Sequence, residues 1–409
     1  MTKVLDVYLN ADLVGKLIQD KHGQISFTYE ESWINKPSAV PLSQSLPLQR
    51  KSFKQKQCRG YFAGILPEEN IRKLIAGNLG ISARNDFAML ELIGGECAGA
   101  VTFIPAGKSL PDDVEGYRAL SDKELADTIK TLSTRPLMAG EDGIRLSLAG
   151  AQEKIAVHVE NGKISIPLAG ALSTHILKPA NTRFKGLVFN EAMCLKLAAM
   201  IGLPTAKAEI ASADGMDYLL IERYDRKIRD DKEVRLHQED FCQALGIVSE
   251  MKYEAEGGPT LKACFNLIRN ISSRPAVDLQ HLLEAVIFNF LIGNNDAHGK
   301  NFSILYHDGG SIGFAPLYDI LSTAYYPELS NKMAMKIGGE YIVDRIFAKH
   351  FEQLAEDVGL SKPMVRERVV AVTNKVLTSL NELGLADPIS QQISVLIASR
   401  CERTLKLFS

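Results

Sequence analysis

The stretch Leu279–Tyr318 reads LQHLLEAVIFNFLIGNNDAHGKNFSILYHDGGSIGFAPLY. Its first half spaces apolar residues at i, i+3, i+4 and i+7, which predicts an α-helix with one buried face. Gly293 then provides a helix end, because glycine adopts the left-handed conformation at little cost. The polar loop Asn294–Asn301 follows, and two short apolar runs on either side of His307–Gly310 predict a β-hairpin. The pattern therefore predicts a rigid helix, a polar loop and a hairpin in direct succession.

Three side chains on this predicted scaffold have the chemistry of phosphoryl transfer. That reaction needs a carboxylate to accept a proton from the attacking hydroxyl, and oxygen ligands for a magnesium ion on the phosphates. Asp296 and Asn301 have the Asp-x-x-x-x-Asn spacing of a protein-kinase catalytic loop, and Asp319 follows the hairpin. Taken alone, each acid is more typical of a capped turn or a solvated loop. Their joint spacing predicts that the three side chains surround one point.

Composition and length limit the class of protein. A chain of 409 residues with 46% hydrophobic and 23% charged residues is typical of two or three globular domains. The formal net charge of −2 gives no basic surface that would grip nucleic acid as a whole. The six cysteines are scattered without a Cys-x-x-Cys pair, which argues against structural zinc and fits a reducing compartment. We see no signal-peptide core and no run of 18 apolar residues, so we expect a cytoplasmic protein without a membrane span.

The rest of the chain predicts an α+β fold. The amino-terminal part is rich in strand patterns, the first at Val4–Leu9, and Ala106–Glu115 is polar and contains proline, as a linker would. After Asp225 the pattern is mainly helical apart from the hairpin, and it includes a predicted helix at Gln238–Leu245. We therefore expect a β-rich amino-terminal part and a largely α-helical carboxy-terminal lobe.

Several weaker motifs precede the catalytic stretch. Small residues in Ile144–Lys154 would let backbone N–H groups approach phosphate oxygens, although a surface hairpin loop would have the same composition. Lys178 ends a predicted strand, where a kinase places the lysine that holds the α- and β-phosphates, whereas an isolated lysine is normally a surface residue. Glu191 lies on the apolar face of a predicted helix and needs a partner, for which Lys178 is the natural candidate. The glycine-rich segment Gly94–Ala100 lacks a phosphate-loop pattern, and we interpret it as a structural turn.

Five motifs together resemble the HipA family of bacterial serine/threonine-kinase toxins from type II toxin–antitoxin pairs. They are Ser147–Lys154, His175–Pro179, Glu222–Arg226, Asn295–Phe302 and Leu317–Asp319. The resemblance covers most of the chain and implies a two-lobed protein-kinase-like fold. It also implies three parts: an amino-terminal subdomain at 1–106, the remainder of the small lobe at 107–224, and the catalytic lobe at 225–409.

The resemblance implies a role for each matching residue. Asp296 would be the catalytic base, with Lys300 helping to neutralise the transferred phosphoryl group, and Asn301 and Asp319 would hold magnesium. His298 stands where ordinary protein kinases often carry a lysine, so either His298 or Lys300 would face the phosphate. Ser147 would be autophosphorylated. The residues that would contact ATP or its metal are Ser147, Ala149, Gly150, Ala151, Gln152, Lys154, Lys178, Glu222, Tyr224, Asp225, His298, Asn301 and Asp319.

The resemblance also implies partners. Family members pair with a small helix-turn-helix antitoxin of the HipB type that binds operator DNA, and the toxin then acts as co-repressor. The best-known member phosphorylates glutamyl-tRNA synthetase, which leads to growth arrest and drug persistence. Two alternatives remain beside an ATP- and magnesium-dependent kinase: a catalytically silent co-repressor scaffold, and a metal-dependent hydrolase that uses Asp296, His298 and Asp319.

Overall fold

A computed structural model describes residues 2–110, 116–181 and 183–408. The chain divides into two compact units. Unit 1 contains Met1–Pro179, Ala211–Glu250 and Leu305–Ser311, and unit 2 contains Ala180–Ile210, Met251–Ile304 and Ile312–Ser409. The polypeptide therefore passes from one unit to the other five times. The three-part division expected from the family resemblance stays a prediction.

The described residues form β-strands in both units. In chain order they are β1 Lys3–Leu9, β2 Asp12–Gln19, β3 Ile25–Tyr29, β4 Phe53–Lys54, β5 Val101–Pro105, β6 Tyr117–Ala119, β7 Ile155–Glu160, β8 Lys163–Pro167, β9 His175–Pro179, β10 Ala208–Ala213, β11 Met216–Glu222, β12 Arg226–Arg229, β13 Lys232–Arg235, β14 Gln238–Asp240, β15 Ser303–Tyr306, β16 Ile312–Phe314, β17 Lys332–Ile337 and β18 Glu340–Ile342.

The α-helices of the described residues are concentrated in the second half of the chain. In chain order they are α1 Glu31–Ile34, α2 Gln55–Gly64, α3 Glu69–Leu79, α4 Asp86–Ile93, α5 Asp122–Thr131, α6 Leu187–Met200, α7 Phe241–Ala244, α8 Leu261–Ile271, α9 Pro275–Ile292, α10 Ala348–Val358, α11 Lys362–Glu382 and α12 Pro388–Phe408. The mixed α+β fold class expected from the sequence is confirmed.

Unit 1 is built on two antiparallel sheets. The first has the strand order β4-β3-β2-β1-β5, and alternate residues of β1 (Leu5, Val7 and Leu9) are buried. This period of two is that of a strand with one face on a core. Phe27 of β3 contacts Phe62 of α2, with ring centroids 5.4 Å apart, so α2 packs on that face. The second sheet has the order β10-β11-β9-β7-β8-β6, which places β9 between β11 and β7.

Unit 2 is organised around α9. From Leu282 to Ile292 its residues are buried on all sides, as expected for a helix that packs between other helices. It contacts α8, α11 and α12. Gly293 ends the helix with φ of 73°, as the sequence predicted, and its backbone N–H donates to the carbonyl of Phe290.

We expected no membrane span. Within the described ranges α9 alone is long and apolar enough to qualify, with a mean hydropathy of 1.3, but 67% of it is buried in the protein.

The structure corrects the predicted helix at Gln238–Leu245 and adds strands to the largely helical part after Asp225. Strands β12 and β13 form a hairpin, and Gln238–Asp240 is a strand followed by only one helical turn, α7. Strands β17 and β18 form a further hairpin. The β12–β13 strands were missed because three of the four residues in each strand are charged, so they carry no hydrophobic period of two. Of the predicted linker Ala106–Glu115, residues 111–115 lie outside the described residues.

Candidate functional site

The loop after α9 is fixed by hydrogen bonds that involve the side chains of its first residues. Asn294 donates from Nδ2 to Oδ1 of Asn289 over 2.8 Å, which joins the loop to the last turn of α9. Asn295 donates its backbone N–H to Oγ1 of Thr323 and its side-chain amide to the carbonyl of Ser330, over 2.8 and 3.0 Å. The loop therefore starts from a rigid helix and has little freedom in its first turn.

Asp296 follows directly and is bound by a residue that the sequence reasoning missed. The hydroxyl of Tyr253 donates to Oδ1 of Asp296 over 2.6 Å. The Tyr253 ring also packs edge-on against His298, with the two ring centroids 5.2 Å apart. The two residues of the bond are separated by 43 positions in the chain, and Tyr253 lies in an irregular segment, so no local pattern could have indicated it. Tyr253 thus contacts the predicted base and the histidine two residues later.

Asn301 and Asp319 converge as the sequence predicted. Nδ2 of Asn301 donates to Oδ2 of Asp319 over 2.8 Å, and Oδ1 of Asn301 accepts the backbone N–H of His298 over 3.1 Å. Asp319 has φ of 55°, in the left-handed region that non-glycine residues seldom occupy. Strained backbone of this kind clusters at functional sites. The structure therefore brings together the two residues that were assigned to the metal.

Lys300 lies between these groups in the chain. Its side chain is largely buried, and its carbonyl accepts a hydrogen bond of 2.7 Å from the hydroxyl of Tyr318. That hydroxyl is also 2.7 Å from Oγ of Ser303 at the start of β15. The hairpin is closed by a bond from the N–H of Ala315 to the carbonyl of Ser303. The hairpin thereby fixes the spacing between the loop and Asp319.

The donor set around Asn301 and Asp319 fits magnesium. Carboxylate and amide oxygens are the hard ligands that this ion prefers, and one or two protein ligands suffice when substrate phosphates supply others. In this structure the Asn301 amide presents its nitrogen to Asp319, so a rotation of the amide is needed to bring Oδ1 beside the carboxylate. Within the described residues no group of three or more His, Cys, Asp or Glu side chains is placed to hold a metal. The hydrolase alternative required such a group from Asp296, His298 and Asp319.

The residues predicted to hold the phosphates lie in unit 1. Lys178 is buried on β9, where its register partner on β11 is Leu219. Glu191 belongs to unit 2, on α6, and its side chain is buried. The sequence reasoning expected Glu191 to be partly buried, and the burial is confirmed. The pairing of Lys178 with Glu191 stays a prediction.

Ser147 is held more firmly than the sequence suggested. A surface hairpin loop, the alternative interpretation of this stretch, would leave Ser147 accessible, but Ser147 is fully buried. Its N–H donates to the carbonyl of Glu96 over 2.9 Å, and its Oγ donates to the carbonyl of Ile65 over 3.0 Å. The following residues are more accessible: Ala149, Gly150, Gln152 and Lys154 are half-buried, and Ala151 is exposed. Gly150 has φ of 104°, so this turn requires glycine.

The segment after β11 combines exposed and buried residues. Glu222 is exposed and Tyr224 is half-buried, whereas the Asp225 carboxylate is buried. Asp225 accepts hydrogen bonds from Arg223 and from the N–H of Gly99, the latter over 2.6 Å. Burial alone would raise the pKa of Asp225, but Arg223 and Arg226 hold it well below its usual range. The structure therefore gives the Asp225 side chain a structural role, which the sequence reasoning had not assigned.

Comparison with known proteins identifies the class. Residues 5–104 match the HipA N-terminal domain and residues 146–380 match the HipA-like C-terminal domain. The second match alone spans more than half of the chain. This is a kinase-like fold, and the chain belongs to the HipA family.

Individual relatives agree with this assignment. The chain is 47% identical to the putative kinase Y4mE of Sinorhizobium fredii over 90% of this chain and 88% of that protein. It is 28% identical to the serine/threonine-protein kinase toxin HipA of Shewanella oneidensis over 99% of this chain and 96% of that protein. A solved structure described as the toxin–antitoxin system HipA, HipB and operator DNA complex of Shewanella oneidensis matches with a TM-score of 0.87 and 26% identity. That match covers 99% of this chain and 98% of the other.

Proposed function

We propose that this protein is an ATP- and magnesium-dependent serine/threonine-protein kinase that acts as the toxin of a type II toxin–antitoxin pair. The contact between Asn301 and Asp319 carries the proposal. It joins an asparagine five residues after a candidate base to an aspartate beyond a hairpin, in a chain whose relatives are named as kinases. A silent scaffold would have no use for this convergence of metal ligands.

Each residue has a defined task in the proposed reaction. Asp296 orients the acceptor hydroxyl of the protein substrate and takes its proton as the bond to phosphorus forms. Asn301 and Asp319 hold the magnesium ion, which neutralises charge on the phosphate oxygens. Lys178 holds the nucleotide phosphates. Lys300 or His298 faces the transferred group.

The remaining nucleotide contacts come from backbone groups and from the loop. We assign the adenine side to the backbone of Glu222 and Tyr224, and the phosphate side to Ala149, Gly150, Ala151, Gln152 and Lys154. A turn of small residues with φ of 104° at Gly150 lets N–H groups approach an anion closely. Asp225, first assigned to this set, would act here by holding Arg223 and the Gly99 turn in place.

A transfer assay with Asp296→Asn as control tests the proposal. Purified protein is incubated with magnesium and ATP labelled at the γ-phosphate, in the presence of a cell extract as substrate source. Label on protein supports a kinase, free labelled phosphate alone indicates a hydrolase, and neither product indicates a scaffold. Since asparagine preserves size but accepts no proton, transfer by Asp296→Asn should fall by about 10²–10⁴-fold. If the transfer came from a contaminating kinase, the wild-type and Asp296→Asn preparations would transfer label at equal rates.

The proposed partners are a HipB-type helix-turn-helix antitoxin, operator DNA and a protein substrate in the cytoplasm. The solved relative with HipB and operator DNA supports the first two. With a net charge of −2 we expect DNA to be held mainly through the antitoxin. We propose an aminoacyl-tRNA synthetase, such as glutamyl-tRNA synthetase, as substrate. Phosphoproteomics after controlled expression, with Asp296→Asn expressed in parallel, tests this assignment.

A further inference from the structure

The glycine-rich turn Gly94–Ala100 is the starting point. Its Glu96 is completely buried, although a carboxylate in that position is costly unless it is paired. The residues that surround it form what we call the Glu96 cluster, and all of them belong to unit 1. Its members are Glu96, Ser173, Arg223, Asp225, Arg226 and Arg235.

The Glu96 carboxylate accepts hydrogen bonds from Arg235 on β13 and from two further segments, one with Ser173 and one with Arg223 and Arg226. Oε1 accepts the N–H and the hydroxyl of Ser173, over 3.0 and 2.7 Å, and it also accepts bonds from Arg223 and Arg226. Oε2 accepts two bonds from Arg235, over 2.9 and 2.7 Å. Burial alone would raise the pKa of Glu96, but the three guanidinium groups hold it at about 2. The group is therefore a permanent anion among three cations.

The backbone of Glu96 binds a third segment. Its N–H donates to the carbonyl of Arg145 over 2.8 Å, and its carbonyl accepts the N–H of Ser147 over 2.9 Å. A Cβ on the neighbouring Gly95 would lie 2.7 Å from Cβ of Arg145, so the approach of these two chains requires glycine at position 95. The turn is thus packed directly against the residues that lead into the loop 149–154.

The three segments that meet at Glu96 are those assigned above to the nucleotide. Arg145–Ser147 lead into the phosphate loop. Ser173 precedes β9, which carries Lys178. Arg223 lies between Glu222 and Tyr224, the two residues assigned to adenine, and Arg226 follows two residues later. The Arg223 N–H donates to the carbonyl of Thr174 over 2.9 Å. No other residue of this turn bonds through its side chain to two of the segments and through its backbone to the third.

We propose that Glu96 is a positioning residue that fixes the phosphate loop, the start of β9 and the adenine-side segment relative to one another. The expected effect of Glu96 on ATP affinity rests on the proposed function. Glu96 acts through these segments and does not touch the nucleotide. Its loss should loosen all three at once, and the consequence should appear mainly in the affinity for ATP, because Asp296, Asn301 and Asp319 belong to the other unit.

The chain offers a matched control for a test. Asp86 is also a buried carboxylate between two arginines, with Nε of Arg59 at 2.8 Å and Arg72 bound to its other oxygen. Asp86 lies in unit 1 on α4. Its ion pairs with Arg59 and Arg72 involve none of the three nucleotide segments. Glu96→Gln and Asp86→Asn therefore remove the same charge from similar surroundings.

The first measurement is hydrogen–deuterium exchange of the nucleotide-free proteins. In Glu96→Gln, exchange should accelerate together in 145–154, 173–178 and 222–226, and in Asp86→Asn it should not. Acceleration confined to the turn 94–100, or equal changes in both variants, would overturn the proposal. Because no nucleotide is present, this result is decided even if the wild-type protein neither binds ATP nor transfers phosphate, which would refute only the proposed function.

The second measurement separates KM for ATP from kcat. Misplacement of binding groups by about 1 Å costs up to about 10²-fold, so KM of Glu96→Gln should rise roughly 10- to 100-fold, with a smaller change in kcat. Asp86→Asn should leave KM unchanged. An unchanged KM in Glu96→Gln, or a loss only in kcat, contradicts the inference.

A milder pair of variants applies if Glu96→Gln does not fold. Ser173→Ala removes one hydroxyl from Oε1 of Glu96, and Ser43→Ala removes one hydroxyl from another buried carboxylate, Glu239. Only Ser173→Ala should accelerate exchange in all three segments and raise KM for ATP, by about threefold or more. Equal behaviour of the two serine variants would overturn the proposal.

Discussion

At the scale of single residues, Tyr253 changes how the candidate base is understood. A catalytic carboxylate must keep its orientation, and a donated hydrogen bond to an ionised group is among the stronger ones in proteins. The Tyr253 hydroxyl makes such a bond to Asp296, and its ring contacts His298. We therefore assign Tyr253 to the orientation of the base.

Removal of this hydroxyl should slow the proposed reaction. In Tyr253→Phe we expect kcat to fall by about tenfold, because a hydrogen bond to a charged group contributes roughly 1.5–3 kcal/mol and this one is partly exposed. Tyr325→Phe is the matched control, since its hydroxyl makes a bond of the same length, 2.6 Å, to Gln392. Steady-state transfer assays check both. A fall in Tyr325→Phe of the same size would show that the effect is not specific to the base.

Glu239 predicts a pH dependence of stability. Burial raises the pKa of Glu239 to about 7, although Ser43, Tyr306 and the N–H of Gln44 donate to it. The folded state thus binds a proton that the unfolded state releases near pH 4.5. The stabilising contribution is complete below pH 4.5 and is lost as the pH rises to 7. Glutamine imitates the protonated form and does not titrate.

The stability of Glu239→Gln relative to the wild type should therefore increase as the pH rises. Between pH 5.5 and 8 the difference in unfolding free energy should move in favour of Glu239→Gln by roughly 2 kcal/mol. Thermal unfolding at both pH values measures this difference. The contribution of the nearby His237 cancels from the difference, because both proteins contain this residue. In Glu96→Gln the difference should stay constant, since Glu96, with a pKa of about 2, is ionised throughout. A constant difference for Glu239→Gln would contradict the assignment.

At the scale of elements, the loop that begins at Ser147 must open before it can be modified. Ser147 is fully buried and bonded through both its N–H and its hydroxyl. Phosphorylation adds about −1.5 to −2 charges, which this site cannot accommodate. The modified loop should then stay displaced, and its N–H groups would no longer face the nucleotide.

We therefore expect phosphorylated Ser147 to weaken ATP binding. Mass spectrometry maps the site, and titration of ATP into modified and unmodified protein measures the affinities, with Ser147→Ala as the form that cannot be modified. Dependence of the rate on protein concentration separates modification by a neighbour from modification within one molecule. Equal affinities in the two forms, or an unmodified Ser147 in an active preparation, would refute this switch.

Helix α6 and strand β9 give a second prediction at this scale. Glu191 and Lys178 are both buried charged residues, and a buried carboxylate needs a compensating partner. If they form the ion pair predicted from the position of Glu191 on the apolar face of its helix, Lys178→Ala and Glu191→Ala should be non-additive in ATP turnover. A double-mutant cycle measures the coupling. Strictly additive losses would show that each side chain acts independently.

The sequence predicted those elements whose signals are local. The helix that ends at Gly293 and the hairpin β15–β16 were found because apolar spacing and turn residues lie within one stretch. Tyr253 and Glu96 were missed for the opposite reason, since their partners lie 43 and up to 139 positions away. The hairpin β12–β13 was missed because three of the four residues in each of its strands are charged, so no apolar alternation marked a strand.

At the scale of the whole molecule, bound nucleotide should stabilise the fold by mass action. A ligand at 100 times its Kd adds about 2.7 kcal/mol to the free energy of unfolding. Since unfolding releases about 2.1 cal/mol/K per residue over 409 residues, we expect ATP with magnesium to raise the apparent Tm of the wild type by roughly 3 °C. Asp319→Ala loses a metal ligand, so its shift and its activity should fall, and excess magnesium should restore them only in part. Wild-type shifts in this variant would place the metal elsewhere.

The discontinuity of unit 1 has a consequence during synthesis. Gln44 donates to the hydroxyl of Tyr306, a contact that spans 262 residues, and Tyr306 also closes the buried site of Glu239. At about 5–20 residues per second, a ribosome needs roughly tens of seconds to deliver that tyrosine after the glutamine has emerged. The core of unit 1 therefore stays incomplete until the loop Asn294–Asn301 has already been synthesised. Unit 1 should accordingly complete its folding only after residue 306 has left the ribosome.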